Sequence, residues 1–211
     1  MLPLLMPQGP LRLLILAAQY FPAVGGSEAQ ARLLAREFKR RGAEVEVWTR
    51  RLQPAHAWRE TLDDVQVLRL GQTLPFRAAW ARKVERAGFT LTLYRELRSA
   101  TRRFDVVFGN QLQYPAAVAA LALRGKHAPP VIARVSASGG NSEMQQGGLA
   151  FRKQRAILTR GLARVAALGP LTRLECERAG FAPARIVVIP NAVSIPSQPH
   201  SWLSTFPHAP T

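Results

Sequence analysis

Leu11-Arg-Leu-Leu-Ile-Leu-Ala17 runs into Ala18-Gln-Tyr-Phe-Pro-Ala-Val-Gly25-Gly26-Ser27-Glu28, and from there into an amphipathic segment that stops at Gly42. The first run is short, unbroken and apolar, the pattern of a strand covered on both faces near the centre of a parallel sheet. A buried strand that passes through a glycine turn into a helix N-terminus is how α/β proteins build anion sites, because backbone amides and the positive end of the helix dipole converge there. Ser27 and Gln30 are spaced as a capping box, which predicts a helix starting at Ser27. Ala31, Leu34, Ala35 and Phe38 recur at helical spacing, Arg32, Arg36, Lys39 and Arg40 fall largely opposite, and Gly42 suits the left-handed residue that closes a helix. Gly25 and Gly26 lack the G-x-G-x-x-G spacing of a dinucleotide fingerprint, and no Walker lysine follows. The pair suits either a tight strand-to-helix turn or a close approach to an anion.

Outward from this unit, strand and helix signals alternate. Glu44-Val-Glu-Val-Trp-Thr49 and Val65-Gln-Val-Leu-Arg-Leu70 alternate with period two, and Phe104-Asp-Val-Val-Phe108, Pro130-Val-Ile-Ala-Arg-Val135, Ala163-Arg-Val-Ala-Ala-Leu168 and Arg185-Ile-Val-Val-Ile189 are short and apolar. Helical patterns separate most of them, and Pro170 is placed to open a helix that Gly180 closes. About seven strands with right-handed crossovers predict an α/β, Rossmann-like, doubly wound and mostly parallel sheet with helices on both faces. The loops holding Gly25 and Gly26, Gly109-Asn110-Gln111, and Ser136 to Gly140 then line the carboxyl edge of the sheet, where such folds bind ligands.

The chain has 211 residues, 47% hydrophobic and 20% charged, enough for one sizeable core. No run approaches the roughly 18 apolar residues of a transmembrane helix, and the first ten residues lack a charged n-region, so the expected location is cytoplasmic. The single Cys176 gives no internal disulfide and no zinc spacing, and no metal site is predicted. With 29 basic and 13 acidic side chains the formal charge is +16, a field that attracts polyanions. Its densest stretch, Arg77 to Arg103, sets Arg82, Lys83, Arg86, Arg95 and Arg98 among Trp80, Val84, Ala87, Leu91 and Tyr94, an amphipathic helix or helix pair interrupted near Gly88. It reads either as a solvated helix face over the sheet or as a surface resting on anionic membrane with Phe76, Trp80 or Phe89 near the headgroups. Zinc spacing and aromatic RNP patterns are both missing, so no nucleic-acid partner is expected.

The first strand, Phe21-Pro22, Gly25-Gly26-Ser27-Glu28, the helix ending Lys39-Arg40-Arg41-Gly42 and the strand Glu44 to Thr49 together resemble the opening of the retaining glycosyltransferases of family four. Arg178-Ala-Gly180 and Arg185-Ile-Val-Val-Ile-Pro-Asn191 resemble the segment that closes the N-terminal domain in that family. The resemblance spans residues 11 to 194 and implies half of a GT-B architecture, with an N-terminal domain that receives the acceptor and a C-terminal domain that holds the donor. It implies transfer of a sugar from a UDP- or GDP-linked donor to a glycan, lipid-linked or small-molecule acceptor, without a bound metal or other cofactor. Donor phosphate or acceptor would be met by Gly25, Gly26, Ser27, Glu28, Asn110, Gln111, Ser136, Ser138, Gly139 and Asn191. The catalytic residues are not identified.

The chain departs from the family pattern at three places. No histidine follows Pro130 to Val135, where Ser136-Ala-Ser-Gly-Gly140 stands instead. Ala192 stands where glycine usually follows Ile-Pro-Asn, and would be strained if the turn demanded a positive φ. From Ile195 to Thr211 there are four prolines, three serines and no charged residue, a composition that cannot pack a domain. The expected organisation is therefore a Rossmann-like domain over 1–194, a disordered tail over 195–211 and no donor-binding domain, as in a truncated or frameshifted reading frame. On that reading the chain alone has little activity. The alternatives are a basic module binding membrane or a partner chain, and an ordinary Rossmann-type nucleotide or sugar-nucleotide enzyme.

Overall fold

The structure is a computed structural model and describes residues 9–74, 78–112, 114–137 and 148–193. Its elements in chain order are β1 (Arg12–Ala17), α1 (Gly26–Arg40), β2 (Glu44–Arg50), β3 (Arg59–Leu62), β4 (Val65–Leu70), α2 (Ala79–Ser99), β5 (Val106–Gly109), α3 (Tyr114–Ala122), β6 (Val131–Arg134), α4 (Leu149–Gly161), β7 (Arg164–Ala167), α5 (Pro170–Arg178) and β8 (Ile186–Val188). The strands form one sheet in the order β3-β4-β2-β1-β5-β6-β7-β8. All neighbours are parallel except β3 and β4. The α/β class, the parallel sheet and the central place of Leu11 to Ala17 are as expected: Ile15 lies opposite Val47 on one side and Phe108 on the other, and Leu14 and Ile15 are wholly buried.

The described residues hold eight strands where about seven were expected, the addition being β3. It pairs antiparallel with β4 through a two-residue connection in which Asp63 and Asp64 take φ 51° and 60°. Consecutive positive φ values are what a type I′ hairpin turn needs, and this turn achieves them without the customary glycine.

Side chains of β1 alternate between two cores. Leu13, Ile15 and Ala17 pack with Ala31 and Ala35 of α1. Leu14 and Leu16 pack into the larger cluster containing Phe89, Leu93 and Leu97 of α2, the alanines of α3, Leu158 of α4 and Cys176 of α5. Helices do lie on both faces, yet unequally: among the described residues α1 alone packs on one, and the other four helices pack on the opposite one. On the larger layer the backbones approach closely. A Cβ added at Gly109 would come within 2.8 Å of Ala116 Cβ, and one at Gly161 within 2.8 Å of Ala120 Cβ, so both glycines are demanded by packing.

Several local expectations change. Helix α1 begins at Gly26 with Gly25 as N-cap, and no side chain caps it, so the Ser27 and Gln30 capping box does not form. Both side chains are drawn to other partners, described below. Helix α2 continues through Gly88 without a break, because a single glycine in a helix supported by tertiary packing costs only about 1 kcal/mol. Its buried stripe is Ala81, Phe89, Leu93 and Leu97. Trp80, Val84 and Leu91 are instead 57%, 52% and 51% exposed, so this part of the apolar series runs along the outside, while Tyr94 packs against the core. Phe89 is buried and cannot approach a lipid surface, and Phe76 lies outside the described residues. Gly42 and Gly180 do take positive φ, and Pro170 does open α5. Ala192 is not among the positive-φ residues and carries no left-handed strain. Among the described residues no helix is long and apolar enough to cross a membrane. The tail over 195–211 lies outside the described residues.

Candidate functional site

The carboxyl ends of β1, β5 and β6, the N-terminus of α1 and the segment after β8 meet at one edge. Gly25 is extended at φ 177°, and Gly26 has nothing within 4 Å of where a Cβ would stand. Neither glycine is required by a left-handed turn or by close strand-to-helix packing here. A Cβ on Gly25 would meet only the Glu28 carboxylate, at 2.3 Å, so the side chain of Glu28 is folded back over the glycine at the positive end of α1. Among the described residues the first turn of α1 has no side-chain cap, and only the Glu28 carboxylate lies over it, at Gly25.

That turn is held from below by the loop after β5. Asn110 Nδ2 donates to the Ser27 carbonyl at 2.8 Å, and Gln111 Nε2 donates to Ser27 Oγ at 2.9 Å. Asn110 itself is buried, with its N–H donating to Leu16 O at 2.9 Å. Its carbonyl accepts from Arg134 Nε and Nη2 at 3.3 and 3.2 Å, and its Oδ1 accepts from Nη2 at 3.0 Å. Arg134 Nη1 donates to Asn191 Oδ1. The segment after β8 is then tied to α1 by Gln30 Nε2, which donates to the Ala192 carbonyl. One buried guanidinium therefore links the ends of β1, β5 and β6 to the closing segment, at a place where charged hydrogen bonds are strong. Arg134 received no role from the sequence. Its signal was there, a lone arginine inside an otherwise apolar strand, which must be satisfied if buried.

Ser136 stands two residues beyond β6 at the same edge and is half-buried. Ser138 and Gly139 lie outside the described residues. Gly25, Gly26, Ser27, Glu28, Asn110, Gln111 and Asn191 are brought together. The side chains of Asn110 and Asn191 are engaged within the network, and Ser27 Oγ receives Gln111.

On the other side of the glycine loop lies an open groove of about 310 Å³, lined by Phe21, Val24, Gly25, Glu28, Arg32 and Arg36 among others. Arg32 is bidentate to Asp63, at 2.6 and 3.1 Å, and its guanidinium lies 4.3 Å from the centre of the Phe21 ring. Beneath the loop, buried Arg69 donates Nε to Glu60 at 2.6 Å and Nη2 to the Phe21 carbonyl, so β4 fixes the loop from below. Arg69 Nη1, Tyr20 Oη and Thr49 Oγ1 are buried here without a hydrogen-bond partner in the described protein. Burial pushes the Tyr20 phenol up to about 12, with a smaller push from Asp63.

The chain resembles solved structures along most of its own length and about half of theirs. Sucrose-phosphate synthase from Thermosynechococcus elongatus superposes with a TM-score of 0.64 at 18% identity, over 85% of this chain and 48% of that one. HepE of Anabaena in complex with UDP-glucose gives 0.58 at 14%, over 86% and 44%. The lipopolysaccharide outer core galactosyltransferase WaaB in its apo form gives 0.57 at 14%, over 89% and 47%. At such identities the likeness is one of fold. No curated protein sequence matches the chain. Residues 25–192, from the first glycine of the α1 loop to the residue that receives Gln30, match the glycosyl transferase 4-like domain, and the chain belongs to that family.

Proposed function

We propose that the chain is the N-terminal, acceptor-side domain of a retaining GT-B glycosyltransferase, which moves a sugar from a UDP- or GDP-linked donor to a glycan or lipid-linked acceptor once a donor-binding domain is supplied. The observation that carries this reading is the uncapped first turn of α1, held at the carboxyl edge of the sheet by Asn110 and Gln111 through Ser27. Amides fixed there in advance stabilise charge without reorganising, and a departing nucleoside diphosphate is where negative charge develops. Gly25 and Gly26 admit the donor phosphates or the acceptor to those amides, and Glu28 swings off Gly25 as they arrive. Asn110, Arg134 and Asn191 act as positioning residues. The chain spans about half the length of the solved structures it resembles. On this reading the remainder of the donor site is supplied by a donor-binding domain.

The test is an assay of purified residues 1–211 with UDP-glucose and GDP-mannose over a panel of glycan and lipid-linked acceptors. No transfer by the chain alone is expected. Turnover by this polypeptide unaided would overturn the division of labour, since it would place donor and acceptor sites in one domain.

A further inference from the structure

Helix α2 carries two apolar stripes. The inner one, Ala81, Phe89, Leu93 and Leu97, fills the core. The outer one, Trp80, Val84, Ala87, Leu91 and Tyr94, has three members at least half exposed, and Leu121 of α3 adds a fourth exposed apolar side chain at 41%. Between the two helices runs an open groove of about 850 Å³, lined by Ala87, Leu91, Val118 and Leu121 together with Arg82, Lys83 and Arg86. Those three cations are exposed, and none of the ion pairs among the described residues involves them. Glu85, the acid between them, is turned away to accept the Leu74 N–H at 2.7 Å. Aliphatic side chains standing in water beside uncompensated cations fit a surface that is both greasy and anionic.

We propose that the outward face of α2, with Leu121 of α3, docks on a bilayer containing anionic lipid. Trp80, Val84 and Leu91 enter the headgroup layer, while Arg82, Lys83 and Arg86 meet lipid phosphates. A second copy of the chain is a poor occupant, because it would set two unbalanced rows of cations against each other. Nucleic acid would satisfy the cations and leave Val84, Leu91 and Leu121 without a use. This inference goes beyond the transferase reading and stands whether or not sugar is transferred.

The experiment is sedimentation of residues 1–211 with vesicles of phosphatidylcholine alone and of equimolar phosphatidylcholine and phosphatidylglycerol. Binding to the anionic vesicles should be at least about tenfold tighter and should fall with salt. The triple variant Arg82→Glu, Lys83→Glu and Arg86→Glu should lose at least about tenfold. The triple variant Lys39→Glu, Arg40→Glu and Arg41→Glu at the C-terminal end of α1 makes the same change of net charge on the opposite layer and should stay within about threefold. Brominated lipid should quench tryptophan emission of the wild-type chain more than that of Trp80→Phe. Equal losses in the two triple variants, or equal quenching with and without Trp80, would overturn the proposal in favour of a general attraction by a +16 chain. Displacement from the vesicles by duplex DNA at equal phosphate concentration would overturn it in favour of nucleic acid.

Discussion

Arg134 Nη1 donates to Asn191 Oδ1 across 57 residues of sequence, joining the end of a central strand to the segment that closes the described domain. The same guanidinium serves the carbonyl and Oδ1 of buried Asn110, so its loss would strand two buried acceptors at the edge that holds the α1 N-terminus and leave the exposed Asn191 to water. Arg134→Met should cost roughly 3 kcal/mol of unfolding free energy, since buried acceptors left unpaired retain their desolvation penalty. Asn191→Ala should cost roughly 1 kcal/mol, and the two changes should be non-additive by about 1 kcal/mol. Urea unfolding of the single and double variants measures all three quantities. Additive effects would mean that the Arg134 to Asn191 bond carries no coupling.

Two aspartates shape the acid limb of stability. Arg12 bonds Asp105 at 2.7 Å and Arg32 bonds Asp63 at 2.6 Å, and these bonds hold both carboxyls below their ordinary 3.8. A carboxyl depressed in the folded state contributes stability that is complete above its unfolded value and is lost as pH falls through the folded one. The chain should therefore lose stability as pH drops below 3.8, and Asp105→Asn should flatten that loss. Both pairs are partly exposed and screened by solvent, so the loss should be small. Thermal midpoints of the wild type and Asp105→Asn between about pH 6 and 2.5 check this, and parallel curves would contradict it.

Gly161 and Gly88 should respond to alanine with opposite signs. At Gly161 the new Cβ would lie 2.8 Å from Ala120 Cβ and 2.9 Å from its carbonyl oxygen, a clash between helix backbones that costs about 1–3 kcal/mol. At Gly88, inside α2, it would meet nothing within 4 Å, and Gly88→Ala should stabilise by roughly 0.5–1 kcal/mol through the lower entropy of the unfolded chain. Denaturant midpoints decide both signs.

The β3–β4 turn offers a further gain. Asp63 is occupied by Arg32, but Asp64 holds φ 60° and its side chain makes no hydrogen bond among the described residues. Asp64→Gly should stabilise by up to about 1 kcal/mol, as a glycine takes that conformation freely. A lowered melting midpoint would show that the Asp64 side chain contributes something that the backbone geometry does not reveal.

Features governed by local chemistry were readable in the sequence. The unbroken apolar run at Leu11 to Ala17 declared a central strand, and Gly42, Gly180 and Pro170 declared helix ends, because each answers to its own backbone or its own period. Features settled by distant residues were not. Ser27 and Gln30 satisfy a local capping pattern, yet Gln111 and Ala192 engage them across the fold. The two apolar stripes of α2 have equally good helical periods, and which one turns inward is decided by where β4 and α3 lie. Hairpin β3–β4 was hidden because its turn has two aspartates in place of Asn-Gly or Asp-Gly. Arg134 was hidden because its partners Asn110 and Asn191 meet it only after the sheet is assembled.

The central claim is that the α1 N-terminus of this domain meets donor phosphate or acceptor at an edge that the two glycines keep open. The most direct measurement is retention of labelled residues 1–211 on an array of immobilised UDP, GDP, glycans and lipid-linked oligosaccharides, beside Gly26→Val. The account predicts that the wild type holds one class of nucleotide or acceptor and that Gly26→Val, whose side chain would stand in space now open beside the first turn, loses it while keeping its melting midpoint. Equal retention by the two proteins would contradict the account, because the ligand would then bind somewhere other than the α1 N-terminus.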